Sequence, residues 1–252
     1  MRQQKITRIM IQTKPRLDAL AAVWLLQNTE AGEKKYPGVT DARIEFWDTG
    51  TMSPDGKTWQ EYLKEGTLLI GVGGGPFDEH PSKDFGDRKA EKLSATMLVA
   101  IELGLEKSQL FKQLIAMVTE NDLKPVASKD SLPNIVKIMH RTVDDPRKVI
   151  AFASEAIDAL IGSQAQFIEA VKEFRAKATV KTITAPDGTK CRVGFIESDN
   201  PQIWAAARYC DNDLAALVQR RQSGRVAIFG NQHGLGEKMN RIVGAIRRAE
   251  LI

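Results

Sequence analysis

Cysteine and histidine are scarce in this chain, two and three among 252 residues. Cys191 and Cys210 are too few for a zinc cluster or a disulfide framework. They are expected to be reduced, partly buried thiols. Aromatic residues make up only 6% of the chain, and no basic stripe interleaved with aromatics occurs, which argues against an RNA-recognition surface. Long apolar runs are missing as well. Ala19–Leu26 is short, follows Lys14, Arg16 and Asp18, and falls well below the ~20 apolar residues of a membrane helix. Neither a signal peptide nor a membrane span is expected, and the protein is expected to be soluble and cytoplasmic. No Gly-x-Ser-x-Gly elbow, Walker loop or paired-Cys motif is present.

What is present is the composition of a globular protein: 42% hydrophobic, 27% charged, and 36 Lys+Arg against 32 Asp+Glu for a net charge of +4. That excludes wholesale disorder. The length suits one large domain or two modest ones. A mildly basic balance allows a phosphate-bearing ligand without requiring nucleic acid.

Periodicity predicts a strand over Lys5–Gln12, broken by Pro15, and a helix from Leu17. Further strands are predicted at Arg43–Trp47 and Thr67–Val72, with a short helix over Trp59–Lys64 between them. Alternating strands and helices predict an α/β fold with a doubly wound, mainly parallel sheet. Helices are then expected at Arg88–Leu103, Ser108–Thr119 (capped by Ser108) and Pro133–Arg141. A long one runs over Pro146–Lys177, with Gly162 and Ser163 as the place to bend. Beyond it, Val180–Thr184 and Cys191–Ile196 flank Pro186-Asp187-Gly188, a hairpin signal. A helix at Gln202–Tyr209, strands at Leu214–Arg220 and Arg225–Phe229, and a last helix at Glu237–Ala249 complete a smaller α+β domain. The expected division is 1–145, a linking helix 146–177, and 178–252. That helix could simply join the domains or form a homodimer interface.

Three stretches place polar residues where open α/β sheets hold ligands. They are Gln12-Thr13-Lys14-Pro15-Arg16-Leu17-Asp18-Ala19, Gly71-Val72-Gly73-Gly74-Gly75-Pro76-Phe77-Asp78-Glu79-His80, and Thr119-Glu120-Asn121-Asp122 just past a helix. The first two resemble the DHH phosphoesterase superfamily. Its first motif reads His-x-x-Pro-Asp-x-Asp-Ala, and one branch carries Asp-Val-Gly-Gly-Gly-x-Phe-Asp-His-His at the third strand. The resemblance covers Ile6–Leu103 and extends to Asp122; the C-terminal part matches only in layout.

The resemblance implies a hydrolase that clamps phosphoryl oxygens with two divalent cations. Position by position, the motif's His falls on Gln12, its first Asp on Arg16 and its shared Asp on Gly71. The ligands of the first cation, and the one both share, are therefore replaced. Asp18, Glu79 and Asp122, with Asp78 beside them, leave an all-oxygen set that suits one Mn²⁺ or Mg²⁺. His80 takes the place of the phosphate-facing His. Arg16 would bind phosphate bidentately where a cation stood, helped by Lys14 and the amides of Gly73, Gly74 and Gly75. His233 and Asn231, in Gly230-Asn231-Gln232-His233-Gly234, resemble the loop that the family's small domain offers to substrate.

Two functions follow as expectations. One is metal-dependent hydrolysis of a nucleotide or short-oligonucleotide phosphoester at a single-cation site. The other is an inactive relative that binds a phosphorylated ligand or a protein partner. Each residue also has a plainer reading. Asp18 could complement a helix dipole, Asp78 could accept local backbone N–H bonds, Glu79 could face solvent, and Asp122 could cap a helix. Asp48 and the His233 loop could be ordinary turns, and His140 structural.

Overall fold

The computed structural model describes residues 4–48, 55–124, 128–184, 188 and 190–230. Strand β1 (Arg8–Gln12) leads into helix α1 (Leu17–Asn28), the short α2 (Glu30–Lys35) and strand β2 (Arg43–Trp47). Helix α3 (Trp59–Lys64) and strand β3 (Thr67–Leu69) follow. The strands form a parallel sheet in the order β2-β1-β3, so the chain crosses β1 between its second and third strands. Side chains alternate across a strand, and each face meets its own helices. Ile9, Ile11, Leu68 and Ile70 join the main core with α1. Met10, Leu69 and Trp47 pack with Trp59 and Tyr62 of α3. A capping box between Thr58 and Glu61 starts α3.

Apart from Asp18 in its first turn, helix α1 is apolar on all sides up to Leu26, and every residue from Leu17 to Leu26 is buried, because it lies beneath other helices rather than at the surface. Those are α4 (Ala95–Glu102), α5 (Lys112–Leu123) and α6 (Leu132–Thr142). Helix α7 (Pro146–Lys177) is continuous through Gly162 and Ser163. Its first half puts Val149, Ala153 and Ile157 in the main core, and its second half puts Ala170 and Phe174 in another. The chain accordingly divides into compact units at Ile161/Gly162.

The second unit carries strands β4 (Thr179–Thr184) and β5 (Lys190–Glu197), helix α8 (Ile203–Cys210), and strands β6 (Leu214–Arg220) and β7 (Val226–Gly230). The β4–β5 and β6–β7 pairs are antiparallel, whereas β5–β6 is parallel, as the α8 crossover between them permits. Both units are α/β in content. Among the described residues no helix is long and apolar enough to cross a membrane. The predicted helix at Glu237–Ala249 lies outside the described residues.

Several predicted boundaries move; β1 starts at Arg8 rather than Lys5. Strand β3 stops at Leu69 rather than Val72. Ile70 still donates its N–H to Met10 O at 3.0 Å, but Gly71 then turns the chain at φ +64°, open to glycine at little cost. Helix α4 starts at Ala95 rather than Arg88, because the segment before it is a series of turns and Lys92 sits at φ +63°. Helix α5 begins at Lys112 rather than Ser108 and runs to Leu123, so Asp122 lies in its last turn and not beyond it.

Candidate functional site

The start of α4 explains the first carboxylate. A helix begins with N–H groups that lack intrahelical partners. Here Ala95 N–H donates to Asp18 Oδ2 and Thr96 N–H to Asp18 Oδ1, both at 2.9 Å. Met97 N–H donates to the Ser94 hydroxyl, and Thr96 Oγ1 donates to the Asp18 carbonyl at 2.7 Å. Asp18 is thus the acceptor that pins α4 onto α1, although it belongs to α1's own first turn. Burial raises its pKa above the ordinary carboxylate value, and the nearby charge of Asp122 adds to this.

The loop after β3 positions the next group. Asp78 is fully buried and spends its oxygens inside that loop. Oδ2 accepts Gly74 N–H at 2.8 Å, and Oδ1 accepts His80 N–H at 3.1 Å and the His80 ring at 2.8 Å. A carboxylate only accepts, so Nδ1 of His80 carries the proton. That bond, and then the Glu79 charge, raise the His80 pKa above its ordinary value. Gly71 N–H bonds Phe77 O at 2.8 Å, closing the loop so that Glu79 points inward.

A cavity of about 260 Å³ opens between these elements. Gln12, Arg16, Asp18, Glu79, His80 and Asp122 line it, with Gly71 and Ala19 completing the wall. Asp18, Glu79 and Asp122 each offer a carboxylate oxygen within 4.8 Å of the others, and all three are buried, at 5%, 5% and 9% exposure. Glu79 Oε2 accepts no hydrogen bond. Desolvation, then the Asp18 charge, push the Glu79 carboxyl up to about 7. Two cations approach the remaining member: Arg16 Nη1 lies 3.6 Å from Asp122 Oδ1 and Lys89 Nζ 3.1 Å from Asp122 Oδ2. Asp78, Glu79 and His80 also bring ligand atoms within 4.8 Å, but Asp78 is already saturated by its own loop.

The cavity therefore gathers Arg16, Asp18, Glu79, His80 and Asp122 from the expected set. Gln12, beside this cavity, is spent on structure, its Nε2 donating to Gly71 O at 3.2 Å. The glycine run is placed elsewhere. Gly73 and Gly74 border a separate depression with Thr58, Trp59 and Lys83, Gly74 N–H is taken by Asp78, and a Cβ on Gly75 would meet Trp59 Cβ at 3.1 Å. These glycines serve a tight turn against α3 and build no amide cradle at the acid cavity. Lys14 lines a neighbouring groove instead, together with Arg16. Asp48 accepts a hydrogen bond from Thr13 Oγ1 at 3.2 Å and is exposed, as a turn residue would be. His233 and Asn231 lie outside the described residues.

Lys89 is the site residue that sequence reading misses. It arrives from irregular turns, held by its N–H bond to Glu79 O at 3.0 Å, and no spacing in the chain marks it. No protein-family model matches this chain, and no curated protein or solved structure was found to match it.

Proposed function

We propose that the chain is a cytoplasmic, DHH-type phosphoesterase-like protein whose acid cavity holds one divalent cation and the phosphate of a nucleotide or short oligonucleotide. The observation that supports this is Glu79 Oε2, a buried carboxylate oxygen without a hydrogen-bond donor, beside the carboxylates of Asp18 and Asp122. Buried carboxylates repel one another and resist ionisation. An oxygen-only set of this kind suits Mg²⁺ or Mn²⁺. Asp18, Glu79 and Asp122 would hold the ion, which when bound would polarise a phosphoryl oxygen and acidify a water. Arg16, three-quarters exposed at the cavity rim, would take the phosphate through its planar fork. His80, its Nδ1–H held by Asp78 and its imidazolium form favoured by that carboxylate, would donate Nε2–H to a phosphate or leaving-group oxygen.

A second reading has its own observation. Lys89 and Arg16 already set two positive charges against Asp122, and both Asp18 oxygens are engaged by α4. These features favour a relative that binds a phosphorylated ligand or a protein partner and performs no chemistry.

Calorimetric titration of metal-stripped protein with Mn²⁺, repeated on Asp122→Ala, separates the two. The hydrolase reading expects one ion of micromolar affinity, abolished by the substitution. No ion bound by the unaltered protein leaves the second reading.

A further inference from the structure

Beside the acid cavity lies a second, larger hollow of about 370 Å³, opposite in character. Its wall carries Lys14, Arg16, Lys137 and Arg141, together with His140. Asn121 and Asn134 add amides, Leu17 and Pro133 add apolar surface, and no carboxylate among the described residues lines it. Lys14, Lys137 and Arg141 form no ion pair among the described residues, and of these cations only Arg16 meets an acid, Asp122, at 3.6 Å.

The convergence is built by the fold. Asn134, Lys137 and Arg141 are spaced three and four residues apart, so they share one face of α6. The rotation of α6 is set by the opposite face, where Val136 is fully buried and Met139 packs on the core. Lys14 and Arg16 come from the loop after β1, more than a hundred residues earlier. His140 ties that loop to α6, its Nε2 lying 2.7 Å from Pro15 O. A carbonyl only accepts, so Nε2 is the donor. Pro15 stands between Lys14 and Arg16, so this one bond places both cations against the α6 face. Like charges gathered in a concave wall repel one another and focus a positive potential that an anion relieves.

We propose that this groove is an anion-binding site for phosphate groups, distinct from the acid cavity and needing no metal ion. It goes beyond the reading of the acid cavity and holds whether or not that cavity binds a cation. The recognised chemistry is a set of phosphate oxygens held by Lys14, Lys137 and Arg141 as charge-assisted hydrogen bonds. Arg16, which lines both hollows, is the point where a ligand with more than one phosphate would reach from one to the other. Those phosphates belong either to a compact polyphosphate or to a nucleotide strand.

The test is calorimetric titration of metal-stripped protein, in low salt and without divalent ions, with tripolyphosphate and with 5′-phosphorylated pentathymidylate. Both probes are expected to bind the unaltered protein. Affinity for the tighter one should fall about tenfold or more in Lys137→Ala/Arg141→Ala, and measurably in Lys14→Ala. Lys107→Ala/Lys112→Ala, which removes equal charge from exposed positions outside the groove, should bind as the unaltered protein does. So should Glu79→Gln, whose alteration disables the acid cavity but not the groove. A preference for tripolyphosphate assigns a compact polyphosphate, and a preference for the oligonucleotide assigns a strand. Failure of both probes to bind overturns the site. Equal affinity in the Lys137/Arg141 variant, or an equal loss in the Lys107/Lys112 variant, overturns it too. Circular dichroism confirms that the exposed-site variants are folded.

Discussion

The two hollows meet at Arg16 and are held in place by opposite means. Around the acid cavity, charge is buried. Asp18, Glu79 and Asp122 are withdrawn from water, and desolvation lifts the Asp18 and Glu79 carboxyls above their ordinary range. Around the groove, charge is exposed, and Lys14, Lys137 and Arg141 keep their hydration. Burial makes a carboxylate part of the folding equilibrium as well as of any site it serves. An exposed cation is free to serve a ligand while contributing little to stability. The comparison therefore separates residues whose loss unfolds the protein from residues whose loss only weakens binding.

The largest effect expected is that of Asp18→Ala. It strips acceptors from Ala95 N–H and Thr96 N–H at the buried start of α4, and should cost on the order of 3–5 kcal/mol in urea denaturation. A loss under about 1 kcal/mol would show that Asp18 does not anchor the helix and would erase the contrast with the groove.

Next in size is a pH dependence in the metal-free protein. Glu79 keeps its proton in the fold up to about 7, whereas an unfolded glutamate releases it near its ordinary value. The folded state binds more protons across that interval, so stability falls as pH rises from about 4.5 to about 7. The loss is on the order of 3 kcal/mol. Asp18, also raised, acts in the same direction. His80 is raised by Asp78, so its contribution is complete in acid and fades as pH climbs through its folded pKa. Urea midpoints from pH 5 to 8 measure the sum. Glu79→Gln should be the more stable protein at pH 8 without metal, by roughly 2–3 kcal/mol. Millimolar Mn²⁺ should restore the unaltered protein and leave Glu79→Gln nearly unchanged.

Lys89→Ala sharpens the comparison within the acid cavity. Removing the ammonium beside Asp122 Oδ2 should lower metal-free stability by about 1 kcal/mol while tightening Mn²⁺ binding several-fold. Weaker Mn²⁺ binding in this variant would mean that Lys89 assists the site rather than competing for it. The smallest effect belongs to the groove. Lys137→Ala/Arg141→Ala should shift stability by no more than about 0.5 kcal/mol, and a larger shift would show that these cations support the fold.

Much of the architecture was legible where the cause is local. β2 and α3 fall on their predicted residues, as do α7 and β6, because periodicity, capping and proline act within a few positions of themselves. β4 and β5 pair antiparallel, as the hairpin signal between them predicts, although Pro186 and Asp187 themselves lie outside the described residues. Legibility ends where the cause is distant. Ser94 caps α4 locally, but the acceptor of its Ala95 N–H is a carboxylate 77 residues earlier, which no reading of Arg88–Leu103 alone supplies. The glycine run, placed beside Asp78-Glu79-His80 in the chain, suggests a phosphate cradle, yet Asp78 takes the Gly74 amide and Trp59 crowds Gly75.

By itself the sequence determined that polar residues would cluster at two strand ends, that Asp18 and Glu79 would stand there, and that the chain would form α/β units. Local propensity and side-chain periodicity are properties of neighbouring residues, and these features depend on little else. Only the tertiary structure decided that Asp122, expected beside them, would come from the last turn of α5, that Lys89 would join them, that Lys14 would turn away toward α6, and that Arg16 would stand between two hollows of opposite charge. Those outcomes depend on which helix faces are buried and on bonds such as His140 to Pro15. Burial and electrostatics act through space between residues that the chain order keeps far apart.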